Sequence, residues 1–411
     1  MSKITRTSST PHRPIVVLSQ PGSPQGALNL ARSMGASGAP IFLVSEGPGN
    51  LAATSRHIHH THILPDYSRD SASLLEYIGT IARDTGARPV VVPTSDSDLW
   101  TLMRAWDAFA AVCDMLSPPP EIGTAIADKS RFSVLAEMQG LPVPRTFLPS
   151  PELSAEQIAQ CATFPVIVKP SVRWDAERVE GLNGSTKAVR VDDAPALIDL
   201  LRRVDAAGYP CVVQEFIPGA DDQHLDLQIF LSQDGKCVAT FTSRKRRLWP
   251  IHNGAGCYVE SVDMPDIAEI GVRALRALGL RGIANVDFKR DERTGKAYIL
   301  EINPRLAHWN IFAAACGVNL PLLAYREACG EPFDAPAAQV SNRYFLELSR
   351  DFSAFRQYRS EGTMTAWEYL RSLCRPWATT YQNWRLTDPA PFLVSTAELI
   401  VSKLKNRLRL R

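Results

Sequence analysis

The stretch IANVDFKRDERTGKAYILEINPR, residues 283 to 305, consists of two apolar segments on either side of a short polar one. The polar segment DERTG (291 to 295) ends in a glycine, so the flanking segments are predicted to pair as a β-hairpin. Side chains alternate across a strand, which places Asp287, Glu301 and Asn303 on one face. The other face is apolar and consists of Val286, Phe288, Leu300 and Ile302.

The polar face of this hairpin is suited to a metal ion. Centring the hairpin on its turn sets Asp287 opposite Ile299, which makes Asp287 and Glu301 diagonal neighbours about 7 Å apart. Two carboxylates and the amide oxygen of Asn303 are ligands that Mg²⁺ prefers, and Arg305 just beyond would face anionic oxygens. A solvated hairpin would explain the charges in the turn, but not three polar positions in a row on one strand face.

Composition limits the protein class. The 411 residues carry a net charge of +2, with 45% hydrophobic and 21% charged residues, which predicts a globular protein of two or three domains and gives no indication of nucleic-acid binding. The eight cysteines are scattered and form no Cys-x-x-Cys pair, as in a reducing compartment. The polar N-terminus does not look like a secretory signal, and no apolar run is long enough for a membrane span. We therefore expect a cytoplasmic protein.

Hydrophobic periodicity predicts an α/β and α+β architecture in three regions. Strands and helices alternate over residues 1–117, which indicates an open parallel sheet. A Pro-rich segment at 116 to 122 precedes the second region, 118–330, where helices are mixed with antiparallel hairpins. Residues 331–411 are richer in aromatic residues and arginine, and we predict a mostly helical C-terminal extension with a basic amphipathic end.

Several motifs, in this order, resemble those of the ATP-grasp superfamily. They are DKSRF with Lys129, VIVKPS with Lys169, VVQEFIPGADD with Glu215, and finally Asp-x-Phe and Glu-Ile-Asn-Pro-Arg of the hairpin. The resemblance covers about 120 to 330 and is to carboxylate–amine ligases such as D-aspartate ligase and to the ATP-binding domain of carbamoyl phosphate synthase. It implies a two-lobed ATP-grasp domain preceded by a Rossmann-like, pre-ATP-grasp domain.

The resemblance also implies nucleotide contacts. Lys129 and Lys169 would hold the phosphates, while Glu215 and the backbone of Phe216 and Ile217 would contact adenine. An acidic residue shortly after this hinge would hold the ribose, and Asp222 has that spacing, with Asp221 as the alternative. A phosphate loop is expected in GLNGSTKAVRV (181 to 191), where Ser185 would contact phosphate. This loop has fewer glycines than the family usually shows, so an ordinary hairpin turn is the alternative.

The basic segment SRKRR (243 to 247) is the next candidate. Strand alternation predicts that Lys245 and Arg247 lie on the same side. In the family such residues face the γ-phosphate or an acyl-phosphate, so Lys245, Arg247 and Arg305 are carried over as catalytic residues, with a solvated basic face as the alternative for the first two. His308 and Trp309 follow directly and would either meet the acceptor substrate or pack in the core.

Together these motifs imply an ADP-forming, Mg-ATP-dependent carboxylate–amine ligase that proceeds through an acyl-phosphate. ATP and Mg²⁺ are the expected cofactors, with Mn²⁺ as an alternative ion. A small carboxylate and an amine are the expected partners, with an amino acid or a cell-envelope precursor as the substrate, and a homo-oligomer is compatible with the sequence. The alternatives are an ATP-dependent phosphotransferase on the same fold and a non-catalytic nucleotide-binding module.

Three further segments allow two interpretations each. The histidines of RHIHHTH (56 to 62) are predicted to lie at the surface, with a metal site as the alternative. The segment PTSDSD (93 to 98) is either a helix cap at Ser95 or Asp96 or a ligand-binding strand end. The last 21 residues (391 to 411) are predicted to form a basic amphipathic helix, which either docks on the protein or lies on the inner face of an anionic membrane.

Overall fold

Three β-sheets organise the part of the chain that the structure describes. The structure is a computed structural model, and it describes residues 12–20, 24–171 and 188–409. The three sheets follow one another along the sequence, except that the last sheet receives two strands from the C-terminal extension. The predicted combination of α/β and α+β regions followed by a helical extension is confirmed.

The N-terminal sheet has five parallel strands in the order β3-β2-β1-β4-β5. Its central strands are continuous apolar runs that are buried along their whole length, as expected for a parallel sheet with both faces covered. The strands are β1 Ile15–Ser19, β2 Ile41–Ser45, β3 His60–Ile63, β4 Val90–Pro93 and β5 Asp114–Met115.

A small antiparallel sheet of four strands follows, in the order β6-β9-β7-β8. Its strands are β6 Thr146–Phe147, β7 Val166–Pro170, β8 Val189–Val191 and β9 Cys211–Glu215. Two strands of this sheet carry candidate site residues, since β7 contains Lys169 and β9 ends at Glu215. The central strand pair of the small sheet therefore presents both residues.

The largest sheet has seven strands in the order β14-β13-β10-β11-β12-β15-β16. Its strands are β10 His224–Leu231, β11 Cys237–Trp249, β12 Ala255–Ser261, β13 Gly282–Arg290, β14 Ala297–Asn303, β15 Tyr344–Leu346 and β16 Thr379–Tyr381. The predicted hairpin is β13 paired with β14 at one edge of this sheet. The C-terminal extension supplies β15 and β16 at the opposite edge, so it is built into the body of the protein.

Helices cover the faces of these sheets. Amphipathic spacing and caps set their bounds, as with Ser95, whose hydroxyl accepts a hydrogen bond from the Asp98 backbone in a capping box. The helices are α1 Pro24–Met34, α2 Ser71–Thr85, α3 Asp96–Arg104, α4 Trp106–Val112, α5 Pro120–Ala127, α6 Lys129–Met138, α7 Ala155–Cys161, α8 Ala194–Ala206, α9 Pro265–Ala277, α10 Asn310–Ala315, α11 Leu320–Ala328, α12 Leu348–Ser360, α13 Ala366–Leu373 and α14 Ala390–Arg409.

One hydrophobic core joins the N-terminal sheet to the large sheet. Leu30 of α1 and Ile15 of β1 belong to the same buried cluster as Phe312 of α10 and Phe241 of β11. The C-terminal extension is fastened to this core by an ion pair between Arg32 and Asp388, whose side chains are each 2% exposed. Among the described residues, no helix is long and apolar enough to cross a lipid bilayer.

Candidate functional site

A cleft of about 610 Å³ is lined by residues of the small sheet, the large sheet and the N-terminal region. The small sheet contributes Lys169 and Glu215, and the β13–β14 hairpin contributes Asp287, Glu301 and Asn303. The N-terminal region contributes the residues that begin α3. Most of the predicted site residues therefore come together at one place, although they are spread over almost 180 positions of the sequence.

The hairpin pairs its acidic residues more closely than predicted. Asp287 lies directly across from Glu301, and Asn285 lies across from Asn303. The predicted diagonal arrangement is wrong, because Asp287 faces Glu301 and not Ile299, two positions further along the strand. A β-bulge after Asp287 accounts for one of these positions, and Phe288 faces Ile299 beyond it. The bulge also turns Leu300, which was predicted to face the core, toward the cleft.

The oxygen atoms on this face suit a hard cation. Four side chains with carboxylate or amide oxygens lie in two facing pairs on adjacent strands, and all four line the cleft. The Asn285 side chain is 4% exposed, and its Oδ1 atom is buried without a hydrogen-bond partner. A buried oxygen without a donor is costly, and a cation would satisfy it. The residues present therefore fit Mg²⁺, and Asn285 is a candidate ligand that the sequence analysis missed.

Two lysines approach the same face from the small sheet and from α6. The Lys129 Nζ atom lies 3.9 Å from Glu301 Oε1, and Lys169 Nζ donates a 2.9 Å hydrogen bond to Gln214 Oε1. Burial lowers the pKa of Lys169 to about 8, although the nearby Glu301 carboxylate opposes this shift. Positive charge held at the base of a cleft is suited to phosphate oxygens.

Lys245 lies beneath the acidic pair. Its ammonium group contacts Asp287, and it lies 5.4 Å from the centre of the Trp309 ring. Burial alone would lower the pKa of Lys245, but the carboxylates of Asp287 and Asp226 outweigh it and raise the pKa. Asp226 is fully buried, and burial raises its pKa. Lys245 therefore remains charged between these two carboxylates.

Arg247 does not join Lys245 in the cleft. Register shifts between Lys245 and Arg247 interrupt the alternation of β11, so the prediction that the two residues share a face is wrong. The Arg247 guanidinium instead binds Asp351 of α12 through hydrogen bonds of 2.6 and 3.0 Å, and the two side chains are 3% and 0% exposed. The structure therefore places Arg247, which was predicted to be catalytic, in a buried ion pair away from the cleft.

Arg305 reaches the cleft, but it is paired. It contacts Asp96 at the start of α3, and its own side chain is 5% exposed. Ser95, Asp96 and Ser97 also line the cleft. The two interpretations of the segment 93 to 98, a helix cap and a ligand-binding strand end, are therefore compatible. His308 and Trp309 line the cleft too, and the Trp309 indole donates a 3.4 Å hydrogen bond to Asp226 Oδ1.

The predicted hinge lies where β9 ends. Glu215, Phe216 and Ile217 all line the cleft, and Glu215 Oε1 accepts a 3.0 Å hydrogen bond from the Thr163 backbone. Asp222 does not line the cleft, because the short helix Asp221–Gln223 places it 3.5 Å from Arg246.

Asp221, the alternative ribose residue, is also occupied. Its Oδ2 atom accepts a 2.9 Å hydrogen bond from the His252 backbone and a 2.5 Å hydrogen bond from the Tyr358 hydroxyl. The structure therefore brings neither predicted ribose residue to the nucleotide side of the cleft.

Two lining residues near the hinge were missed by the sequence analysis. His224 begins β10, and its buried Nε2 atom has no hydrogen-bond partner. Lys289 lies 4.3 Å above the Phe216 ring, and burial lowers its pKa. Lys289 lies in the predicted hairpin, and His224 lies directly across from it on the neighbouring strand β10. Only the strand face that Lys289 shares with Asp287 could have indicated it from the sequence.

Three predicted features remain: the phosphate loop, the histidine segment and the C-terminal helix. Ser185 and most of the predicted phosphate loop fall outside the described residues. His59 accepts a 3.0 Å hydrogen bond from the Ile41 backbone, and His62 stacks on Tyr77 at 3.9 Å. Within residues 12–20, 24–171 and 188–409, no three His, Cys, Asp or Glu side chains are grouped as a metal site. The C-terminal helix exposes Leu393, Ile400 and other apolar residues.

Sequence comparison finds a family and several relatives that match part of the chain. Residues 211–347 match a family described as ATP-grasp in the biosynthetic pathway with Ter operon. A D-aspartate ligase of Enterococcus faecium is 28% identical over 204 residues, which is 47% of this chain and 48% of that enzyme. The carbamoyl phosphate synthase large chain of Gemmatimonas aurantiaca is 28% identical over 231 residues, which is 54% of this chain and 20% of that protein. The matched regions thus span about half of the first relative and less of the second.

Solved structures with the same fold cover most of the chain. The biotin carboxylase domain of Hydrogenobacter thermophilus 2-oxoglutarate carboxylase, in complex with MgADP, matches with a TM-score of 0.62 and 16% identity over 82% of this chain and 74% of that one. An L-amino acid ligase from Bacillus licheniformis matches with a TM-score of 0.56 and 15% identity over 79% of this chain and 76% of that one. The resemblance to the ATP-grasp superfamily is thus confirmed: an ATP-grasp family model matches residues 211–347, and the chain has the fold of these solved structures.

Proposed function

We propose that the protein is an ADP-forming ligase that joins a carboxylate to an amine at the expense of ATP. The observation that carries this proposal is the facing arrangement of Asp287 with Glu301 and of Asn285 with Asn303, surrounded by lysines at the base of one cleft. Such an arrangement binds and neutralises a polyphosphate without offering a protein nucleophile. The similarity to D-aspartate ligase supports the same reaction class.

Each part of the cleft has a role in this proposal. Asp287, Glu301, Asn303 and Asn285 would hold Mg²⁺, with Mn²⁺ as the alternative, and the bound ion would neutralise phosphate charge. Lys129 and Lys169 bind the phosphates, and the hinge strand end at Glu215, Phe216 and Ile217 receives the adenine.

The reaction then proceeds in two steps. The substrate carboxylate attacks the γ-phosphoryl group, which releases ADP and forms an acyl-phosphate. The amine attacks the acyl carbon, which releases inorganic phosphate and forms the amide, while the proton lost by the amine passes to solvent or to phosphate. Lys245 and Arg305 hold positive charge where the acyl-phosphate forms, and most of the rate gain comes from positioning and charge neutralisation.

The protein's expected surroundings follow from this chemistry. Small-molecule carboxylates and amines are the substrates, and an amino acid or a cell-envelope precursor is the class we favour. ATP use and the free state of the eight cysteines are compatible with the cytoplasm. Peripheral membrane contact through α14 remains the alternative for its exposed apolar face. Flotation of the full chain with anionic liposomes, compared with a chain ending before Pro391, tests it, and equal flotation removes the idea.

The function is tested by ADP and phosphate release with pairs of acids and amines. We expect release that requires Mg²⁺ and both substrates, and we expect Glu301→Gln to lower it by about a hundredfold or more, because the metal loses a charged ligand. Glu292→Gln is the matched control, since Glu292 lies exposed in the turn of the same hairpin. Turnover that survives Glu301→Gln unchanged would refute the assignment.

The same assay separates the alternatives. A phosphotransferase would give a phosphorylated product that added amine does not change, whereas a nucleotide-binding module would bind ATP without turnover on any substrate pair.

A further inference from the structure

The part of the cleft beyond the acidic pairs is built largely by the C-terminal extension. Glu347, Arg350 and Gln382 line it, together with His308 and with Gln20, which directly follows β1. None of these residues belongs to the motifs that bind nucleotide in the proposed function. This wall of the cleft, here called the extension wall, therefore remains to be explained.

Two amide groups of the extension wall lack hydrogen-bond acceptors. Gln382 is 4% exposed, and its Oε1 atom accepts a 3.1 Å hydrogen bond from Asn29, but its Nε2 atom is buried without a partner. The Nε2 atom of Gln20 is also buried without a partner. Buried N–H groups without acceptors are costly, so two of them lining one cleft indicate a ligand that offers acceptor oxygens.

Opposite charges line the same cleft, and the Gln382 backbone donates a 3.0 Å hydrogen bond to Leu346, the residue before Glu347. Arg350 Nε is 3.2 Å from Glu347 Oε1, and the two side chains are 43% and 14% exposed. A guanidinium has five N–H donors, so Arg350 retains donors for a second carboxylate. Burial raises the pKa of Glu347, although the guanidinium of Arg350 opposes the shift. A second cation beside Glu347 would complete the compensation.

A ligand for this wall needs both an anionic and a cationic group. A simple amine would leave the donors of Gln382 and Gln20 without acceptors, and a dicarboxylate would place a negative charge against Glu347. A zwitterion satisfies both ends.

We propose that the extension wall is a subsite for an α-amino acid substrate. Its carboxylate accepts hydrogen bonds from Gln382, Gln20 and Arg350, and its ammonium group binds Glu347. This inference rests on the proposed ligase function, because the amino acid is one of the two molecules being joined. It gives the C-terminal extension a direct role in substrate choice.

Binding is measured on the full chain by thermal shift and by calorimetry, in the presence of MgADP. The probes are the L- and D-forms of the common amino acids, and each amino acid that binds is compared with its α-amide and with the matching acid that lacks the amino group. We expect at least one amino acid to bind, and both of its altered forms to bind about tenfold or more weakly, because each loses one charged contact.

Two variants locate the subsite. Arg350→Ala and Gln382→Leu should each raise the Kd for that amino acid by about tenfold or more, while the Kd for ADP stays unchanged. Arg356→Ala is the control, since Arg356 is exposed on the same helix. Circular dichroism verifies that each variant is folded.

The outcomes separate this inference from the proposed function. The inference is overturned if no amino acid binds, if the α-amide binds as tightly, or if Arg350→Ala leaves the Kd unchanged, and substrate-dependent ADP release would still support a ligase. Amino-acid binding that depends on Arg350, without any ATP turnover, would support the subsite and refute the ligase.

Discussion

The buried ion pair between Arg247 and Asp351 allows a test of whether Arg247 has a structural or a catalytic role. Replacing Asp351 with Leu leaves the Arg247 guanidinium buried at 3% exposure, with its two hydrogen bonds to the carboxylate removed. Removing one partner of a buried pair costs about 3–5 kcal/mol, because the remaining charge is uncompensated. This is a third or more of the roughly 5–15 kcal/mol that stabilises a typical domain.

The double variant Arg247→Met/Asp351→Leu should recover most of that loss. Both charges are then absent, and the new side chains are apolar in a pocket that already contains Tyr258 and Tyr369 beside the guanidinium. Buried ion pairs replaced by apolar residues of similar size are often neutral or stabilising. The expected coupling energy of the double-mutant cycle is thus about 3 kcal/mol or more.

Urea denaturation, followed by tryptophan fluorescence and circular dichroism, gives the four free energies of unfolding. ADP release is assayed on the same samples well below the transition. We expect the double variant to be folded and to retain turnover, since Arg247 does not line the cleft. If the double variant is stable but has lost turnover, or if Asp351→Leu costs less than about 1 kcal/mol, the structural role of Arg247 is refuted.

Three other charged groups give further predictions. Burial lowers the pKa of Lys169 to about 8, so the charged form is lost as the pH rises through 8, and ATP affinity should fall by up to about tenfold per pH unit above that value. Lys169→Arg should abolish this pH dependence, because arginine stays charged. A flat wild-type affinity profile from about pH 7 to 9.5 would contradict the prediction. Asp388→Asn should cost about 3–5 kcal/mol and expose the C-terminal segment to trypsin, because Arg32 loses a buried partner 2.8 Å away; an unchanged digestion pattern would argue against that anchor. Lys245→Met should abolish turnover. It should also make thermal stability depend more strongly on added Mg²⁺, because the Asp287 carboxylate loses the lysine ammonium as its partner. Equal Mg²⁺ responses in the variant and the wild type would contradict this prediction.

Local patterns carried a large part of the prediction. Alternating apolar residues and a glycine turn identified the hairpin, and the polar positions on one strand face identified Asp287, Glu301 and Asn303. The cap at Ser95 followed equally from the residues beside it. Such signals depend on interactions within a few positions of the chain, so they can be read from the sequence.

The local sequence pattern did not predict the pairing register of the strands. The hairpin register and a bulge after Asp287 together set Asp287 directly opposite Glu301 instead of diagonal to it, and another irregularity in β11 separated Arg247 from Lys245. A bulge inserts one residue into one strand and reverses the alternation beyond it. Nothing in the composition of these strands identifies the position at which that happens.

The sequence by itself thus determined the class of fold, the acidic hairpin and the lysines that accompany it, because strand alternation and turn chemistry act over short distances. Only the tertiary structure decided that Arg247 binds Asp351, 104 positions away, and that Glu347, Arg350 and Gln382 line the cleft. These contacts join segments that have no periodic relation to each other. They form because β15 and β16 of the C-terminal extension complete the seven-stranded sheet and carry those side chains to the cleft.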